Sequence, residues 1–387
     1  MTVNARVPDP VKYNVWPDRG FLPKPDPLER LPDTYELVND IATNLPTLLS
    51  TGQLRAELDK LPVIDLSGLE TGNELECAMR SYSFFASAYV YATYQETSNR
   101  IPRGVAVPLQ YLARRLGRQP ILSYHSYGPQ NWRRIDKGGP IALGNIEVIQ
   151  NFLGGENENG FILDHIEIEA NAAPALWNAP HVQKAVLANS PGVVYRDLQF
   201  IAASVEKMVA TLARMPELCD PDVYYHEVRP YIHAFKGIFY EGVKKYNGKP
   251  QSFLGETGAQ SAIVPCLYAV LGIEHANDPL LGYLAEMRKY MPIKHRAFIG
   301  ALEQNKPLVR SWVLNNKTAN PDCAAAYDQC VYFLWKFLKM HFGYADRYIH
   351  QQTQTSPSNP TDRGTGDTPF MEYLNKHVER TLSHMIW

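Results

Sequence analysis

Four clusters in this chain carry side chains able to do chemistry. The first is Phe253-Leu254-Gly255-Glu256-Thr257-Gly258-Ala259-Gln260-Ser261, small and polar residues set directly before the apolar run Leu267 to Ile273. Such residues at the mouth of a buried helix let the backbone approach a ligand closely. The second is His341, whose helix face also carries Leu334, Phe337 and Tyr344. An imidazole on an apolar stripe is either a satisfied core histidine or the neutral proximal ligand that a five-coordinate heme iron takes. The third is Arg229, flanked by Tyr224, Tyr225 and Tyr231. A surface helix arginine is the ordinary expectation, but aromatic neighbours on both sides argue for burial. The fourth is His165, one helical turn after Phe161. It reads as a surface histidine, a pocket histidine, or half of a metal pair with Glu169 at i+4; that last spacing is common and lacks a third ligand.

In order and spacing these clusters resemble the indoleamine 2,3-dioxygenase family of heme enzymes. The resemblance runs from about Leu109 to Thr381. It includes Glu286-Met287-Arg288-Lys289-Tyr290-Met291-Pro292, which reads as scaffold, Arg347-Tyr348-Ile349 after His341, and the loop Gly364-Thr365-Gly366-Asp367-Thr368. It implies heme b with His341 on the iron, and Thr257, Gly258 and Ala259 as the backbone lying against heme and substrate. Tyr124, Tyr127 and Gly128 match the distal-pocket segment, with Tyr127 in place of a smaller residue. Phe161 and Tyr224 match the aromatic walls over the indole, Arg229 the grip on the amino-acid carboxylate, and Thr365 a contact made when its loop closes. His165 occupies a slot that the better-known indoleamine enzymes fill with serine. A histidine there resembles the sister family, tryptophan 2,3-dioxygenase, whose pocket histidine binds the indole N–H. The family's arginine three places before the proximal histidine and its acidic partner read Leu338 and Tyr268 here, so the second-shell partner of His341 is expected to differ.

The implied activity is cleavage of the indole C2–C3 bond of L-tryptophan or a close indole by O2. The product is of N-formylkynurenine type, and an electron donor keeps the iron ferrous. Indole monooxygenation and a non-catalytic heme-binding or sensor role are the alternatives. No acidic residue is singled out as a general catalyst.

The elements that must position these residues are helical. Candidate helices are 161–170, 192–215, 222–235, 260–271, 281–290, 293–305 and 321–348, and β-branched alternation is scarce, so the expected fold is all-α. A Pro-rich extended arm over 1–33 precedes a small helical domain, 34–105, in which Asn73 caps a helix beginning at Glu74. A larger helical domain, 106–387, follows, beginning with a short helix over 107–116. It holds the long polar stretch 117–160, expected to be functional or lid-like, and a mobile loop at 350–369. A terminal helix starts near Thr368.

Hydrophobic residues make up 45% of the 387 and charged ones 20%, enough for a sizeable core. The net charge of −2 gives no general attraction to nucleic acid or anionic membrane. No apolar run reaches the roughly 18 residues that span a bilayer. The polar, Pro-rich N-terminus is not read as a secretory signal. Five scattered cysteines without a CxxC pair argue against disulfides and structural zinc and for a reducing cytoplasm.

Overall fold

A computed structural model describes residues 7–92, 96–274, 281–353 and 359–387. The chain is mainly helical, as expected. Helices α1 (Glu36–Ser50), α2 (Leu54–Lys60), α3 (Gly72–Val90) and α4 (Arg103–Leu116) form one end. A single turn, α5 (Tyr124–Tyr127), leads to α6 (Glu156–Asn171), α7 (Ala173–Leu187), α8 (Pro191–Leu212), and the short α9 (Met215–Leu218) and α10 (Pro221–Val223). Then come α11 (Ile263–Leu271), α12 (Leu281–Met287), α13 (Ile293–Glu303), α14 (Leu308–Asn316), α15 (Pro321–Ala345) and α16 (Phe370–Leu382). Strands are few and short. β1 (Arg100–Ile101) pairs in parallel with β4 (Phe235–Tyr240), which pairs antiparallel with β5 (Gln251–Phe253). β2 (Trp132–Arg134) and β3 (Ile146–Val148) make a separate antiparallel pair.

The N-terminal arm is mostly irregular, with one 3-10 turn at Pro10–Tyr13 and an isolated bridge between Trp16 and Gly20. It docks on α13 through Phe21, whose ring lies 4.4 Å from that of His295. The cap of α3 is Thr71, not Asn73. Its hydroxyl accepts from Glu74 N, and the Glu74 carboxylate accepts from Thr71 N, a reciprocal capping box. The apolar core of α1–α3 continues without a break into α4 and Ile162 and Ile166 of α6.

The second core is centred on α8 and α15. Val194, Leu198, Ile201, Val205, Met208 and Leu212 recur at spacings of three and four and are buried along α8. Tyr327, Val331, Leu334 and Leu338 form the facing stripe of α15. His341 is the next position on that stripe, so the periodicity that packs α15 also turns the imidazole inward.

The segment 117–160 is not a free lid. It holds α5 and the β2–β3 pair, fixed by buried polar bonds. Arg80 of α3 donates to Gln130 O at 2.7 Å and to Leu28 O and Glu29 O at 3.0 Å. Asn131 Nδ2 donates to Tyr127 O at 3.0 Å and its Oδ1 accepts from Gln150 N at 2.9 Å. The expected helix at 222–235 is instead broken into α10, a π turn at Tyr224–Val228, a 3-10 turn at Arg229–Ile232 and the start of β4. Pro230 cannot donate the helical hydrogen bond, which accounts for the break.

Gly160 lets α6 touch α9. A Cβ there would lie 2.1 Å from Leu218 O, a backbone atom that cannot step aside. Gly160→Ala is expected to lower stability by about 1–3 kcal/mol, read as a lower midpoint in denaturant unfolding. An unchanged midpoint would show that the two helices are free to separate.

Candidate functional site

Between α6, the π turn at 224–228 and the end of α15 the rings form one continuous series. Tyr124 and His165 are 6.0 Å apart, His165 and Phe161 4.6 Å, Phe161 and Tyr224 4.8 Å, and Tyr224 and Tyr348 5.8 Å between centroids. Tyr344, one turn after His341, stands 5.8 Å from Tyr348. Five positions singled out in the sequence, Tyr124, Phe161, His165, Tyr224 and the His341 region, are thus brought together. Two of the rings, Tyr224 and Tyr348, sit in π turns, where the widened backbone re-aims a side chain. Tyr348 is held there by its hydroxyl donating to Cys219 O at 2.7 Å. Tyr127 lies behind Phe161, its ring packed against Phe84, Phe152 and Phe161.

His341 and His165 are both half-buried, and His341 lies in the electrostatic field of His165. Among the described residues neither ring nitrogen of His341 has a hydrogen-bond partner. Burial, with the nearby His165, pushes its pKa down to about 4. The ring is therefore a neutral imidazole with a lone pair, and it is partly exposed. A neutral histidine without a protein partner, in an apolar aromatic enclosure, fits the donor set of a b-type heme. The positions that differ from the family pattern do not reach it. Leu338 is packed in the core, and the Tyr268 hydroxyl pairs with His377 Nδ1 of α16 at 3.1 Å.

His165 Nδ1 lies 2.7 Å from Phe161 O. A carbonyl can only accept, so Nδ1 carries the proton and Nε2 keeps its lone pair. Burial lowers the pKa of this ring too, so the neutral form prevails at neutral pH. Glu169 is not its metal partner. Its Oε1 accepts from Tyr124 OH at 3.0 Å and Ser261 OH at 2.8 Å, and burial raises its carboxyl pKa to about 7 against those two bonds. No group of three or more His, Cys, Asp or Glu able to hold a metal ion occurs among the described residues.

The small-residue segment is tied to α5. Tyr124 N donates to Gln260 Oε1 at 2.9 Å, and Gln260 Nε2 donates to Gly255 O at 2.7 Å. Thr257 caps the 3-10 turn Gly258–Gln260, its hydroxyl accepting from Ala259 N at 3.4 Å. Gly255 is wedged where three backbones meet; a Cβ would lie 2.5 Å from Ile232 O and Thr365 O.

Arg229 is fully buried, and Tyr225 lies under its guanidinium at 5.3 Å. Nη1 donates to Asn359 Oδ1 and Nη2 to Arg363 O at 2.5 Å, while Nε is buried with no partner. Residues 359–369 of the expected mobile loop are therefore docked; residues 354–358 of that loop lie outside the described residues. Asn359 also takes a bond from His233 Nε2 at 3.0 Å and gives one to Tyr225 O at 2.7 Å. Thr365 is buried. Its hydroxyl donates to Glu256 O and its carbonyl accepts from Ala234 N at 3.1 Å, so its docked contacts are with backbone.

Glu256 was not singled out in the sequence. It is 4% exposed, and burial alone sets its ionisation, with no hydrogen-bond or charge partner acting on its carboxyl. Burial pushes its pKa up to about 8, and the hydroxyls of Tyr124, Tyr127 and Tyr224 all feel its charge. The available signal was a carboxylate set between Gly255 and Thr257 in a segment already marked for close approach to a ligand.

The sequence profile described as Indoleamine 2,3-dioxygenase matches residues 9–384. The chain is 34% identical to indoleamine 2,3-dioxygenase 1 of Rattus norvegicus, over 97% of this chain and 95% of that protein. It is 34% identical to indoleamine 2,3-dioxygenase 1 of Mus musculus, over 95% and 94%. A protein of Haliotis madaka named myoglobin is 27% identical over 94% of this chain and 96% of its own length.

Proposed function

This chain belongs to the indoleamine 2,3-dioxygenase family, and from that premise we propose that it opens the indole ring of L-tryptophan or a close relative with O2. The C2–C3 bond is cleaved, both oxygen atoms stay in the product, and tryptophan itself yields N-formylkynurenine. Heme b, bound through His341, would supply the ferrous iron at which O2 is activated, and an electron donor keeps it reduced. A cytoplasmic setting suits the five single cysteines. No described helix is long and apolar enough to cross a membrane.

The protein's own share is binding, orientation and exclusion of water. Phe161 and Tyr224 flank the indole ring, with Tyr127 backing Phe161. Arg229 offers its unpartnered Nε–H edge to the carboxylate. Thr365 and Asn359 close the loop over the pocket, and Thr257, Gly258 and Ala259 line its floor. The observation that carries this reading is the ring series from Tyr124 to Tyr348. It runs from α5 past the turn that precedes Arg229 to the end of the helix that carries the neutral His341. The direct experiment is turnover of L-tryptophan by the reduced holoprotein with the product weighed; a gain of one oxygen atom would support monooxygenation instead. A heme protein without turnover is the reading that the relative named myoglobin favours. Absence of any tryptophan-induced shift in the ferrous heme spectrum would support it.

His165 is assigned the indole N–H. With Nδ1 held by Phe161 O, Nε2 is the acceptor. Protonation removes that lone pair. Tryptophan affinity is therefore expected to fall as pH drops through the lowered pKa, below the usual histidine range near 6.5. 1-Methyltryptophan, which has no N–H, is expected to bind worse than tryptophan to the wild type, with the gap shrinking in His165→Ser. An unchanged methyl penalty in His165→Ser would remove this role.

A further inference from the structure

Two buried groups of opposite charge type lie about Tyr224 without satisfying each other. Arg229 keeps an unpartnered Nε although its other nitrogens bind the docked loop. Glu256 is 4% exposed, and no hydrogen-bond or charge partner acts on its carboxyl. No ion pair joins them, and neither contributes to the other's ionisation, so they stand apart. Tyr224 lies in the field of both: the Arg229 charge lowers its pKa and the Glu256 charge raises it. Burying an uncompensated carboxyl is costly, which marks it as a group awaiting a ligand or held neutral until one arrives.

The backbone fixes Glu256 firmly. Its N–H donates to Ile232 O at 3.0 Å, three residues after Arg229, and its C=O accepts from the Thr365 hydroxyl. Gly255 permits this by letting three backbones meet beside it. The carboxyl is thus carried by the junction that joins the arginine-bearing turn to the docked loop.

We propose that Glu256 is the receptor for the ammonium group of an amino-acid substrate, so that the pocket grips a zwitterion by its carboxylate at Arg229 and by its ammonium at Glu256. This rests on the reading of the pocket as a site for an indolyl amino acid. It makes the pair a specificity device. An indole with both charges satisfies both buried groups, whereas one lacking either leaves a buried group unpaired, which discriminates strongly.

The test uses the reduced holoprotein with carbon monoxide bound, titrated by its heme spectrum with three probes. L-Tryptophan carries both charges, tryptamine only the ammonium, and indole-3-propionate only the carboxylate. Glu256→Gln is expected to weaken L-tryptophan and tryptamine by about tenfold or more, as expected of a lost charge-assisted pair, and to leave indole-3-propionate unweakened. Glu256→Asp, which keeps the charge, is expected to lose less and with the same selectivity. Arg229→Ala should give the mirror pattern, sparing tryptamine. Equal losses for all three probes in both Glu256 variants, or no loss for any, would overturn the ammonium role while leaving the pocket assignment intact. Wild-type holoprotein that responds to none of the three would overturn the pocket assignment and the ammonium role with it.

Discussion

His341→Ala is expected to abolish stable heme binding. His341 is the next position on the buried stripe Tyr327, Val331, Leu334 and Leu338, and both its ring nitrogens are unpartnered among the described residues. Among the other described histidines, His165 already commits its Nδ1 to Phe161 O and is assigned to the substrate. His233 is bonded to Asn359, His125 lies 3.3 Å from Gln130 Nε2, and His350 is exposed. Removing the ring removes the ligand itself, whereas loss of an orienting partner alone lowers metal affinity by about 10–100-fold. Expression with heme supplied, followed by absorbance of the purified protein, reads the outcome. Full heme occupancy with an unchanged Soret band in His341→Ala would displace His341 from the iron.

Arg229→Ala is expected to raise the KM for L-tryptophan by roughly ten- to hundredfold, the loss of a charge-assisted bond to the carboxylate. The docked loop adds to this effect, since Asn359 and the Arg363 carbonyl lose their donors as well. Arg229→Lys separates the two contributions. A lysine keeps a positive charge but not the fork that spans loop and substrate at once, so it should recover part of the KM without restoring loop docking. Tryptamine should lose far less than tryptophan in Arg229→Ala. Equal losses for the two would make Arg229 a purely structural residue that holds the loop.

The helical character and the positions of most long helices were legible because apolar residues recur at spacings of three and four, as along α8 and α15. The same periodicity pointed His341 inward. Two helices escaped. α7 carries Pro174 in its opening turn and Pro180 inside it, and an internal proline is unusual in a helix. In α14, nine residues after Pro307 were too short a run to register. The segment 222–235 misled in the opposite sense. Its aromatic spacing mimics a helix, but Pro230 and the two irregular turns divide it before β4. The shift of the α3 cap from Asn73 to Thr71 is a choice between two competent capping residues, decided by where Glu74 completes the capping box.

At the site, residue type and neighbourhood pointed to the ring cluster and to a buried Arg229. They did not reach what depends on long-range closure. The docking of Asn359 on Arg229 links positions 130 residues apart. The isolation of the Glu256 carboxyl follows from how three backbone segments converge on Gly255. The Tyr268–His377 pair, standing where the family pattern has an acidic residue, depends on α16 packing back against α15.

The central claim is that this pocket inserts both atoms of O2 into an indole, and isotopic oxygen tests it most directly. Reduced holoprotein is incubated with L-tryptophan under isotopically heavy O2 in ordinary water, and the product is weighed. The account predicts N-formylkynurenine carrying two heavy oxygen atoms, both from O2. A product carrying one heavy oxygen, or tryptophan recovered unchanged from fully heme-loaded protein, would contradict it.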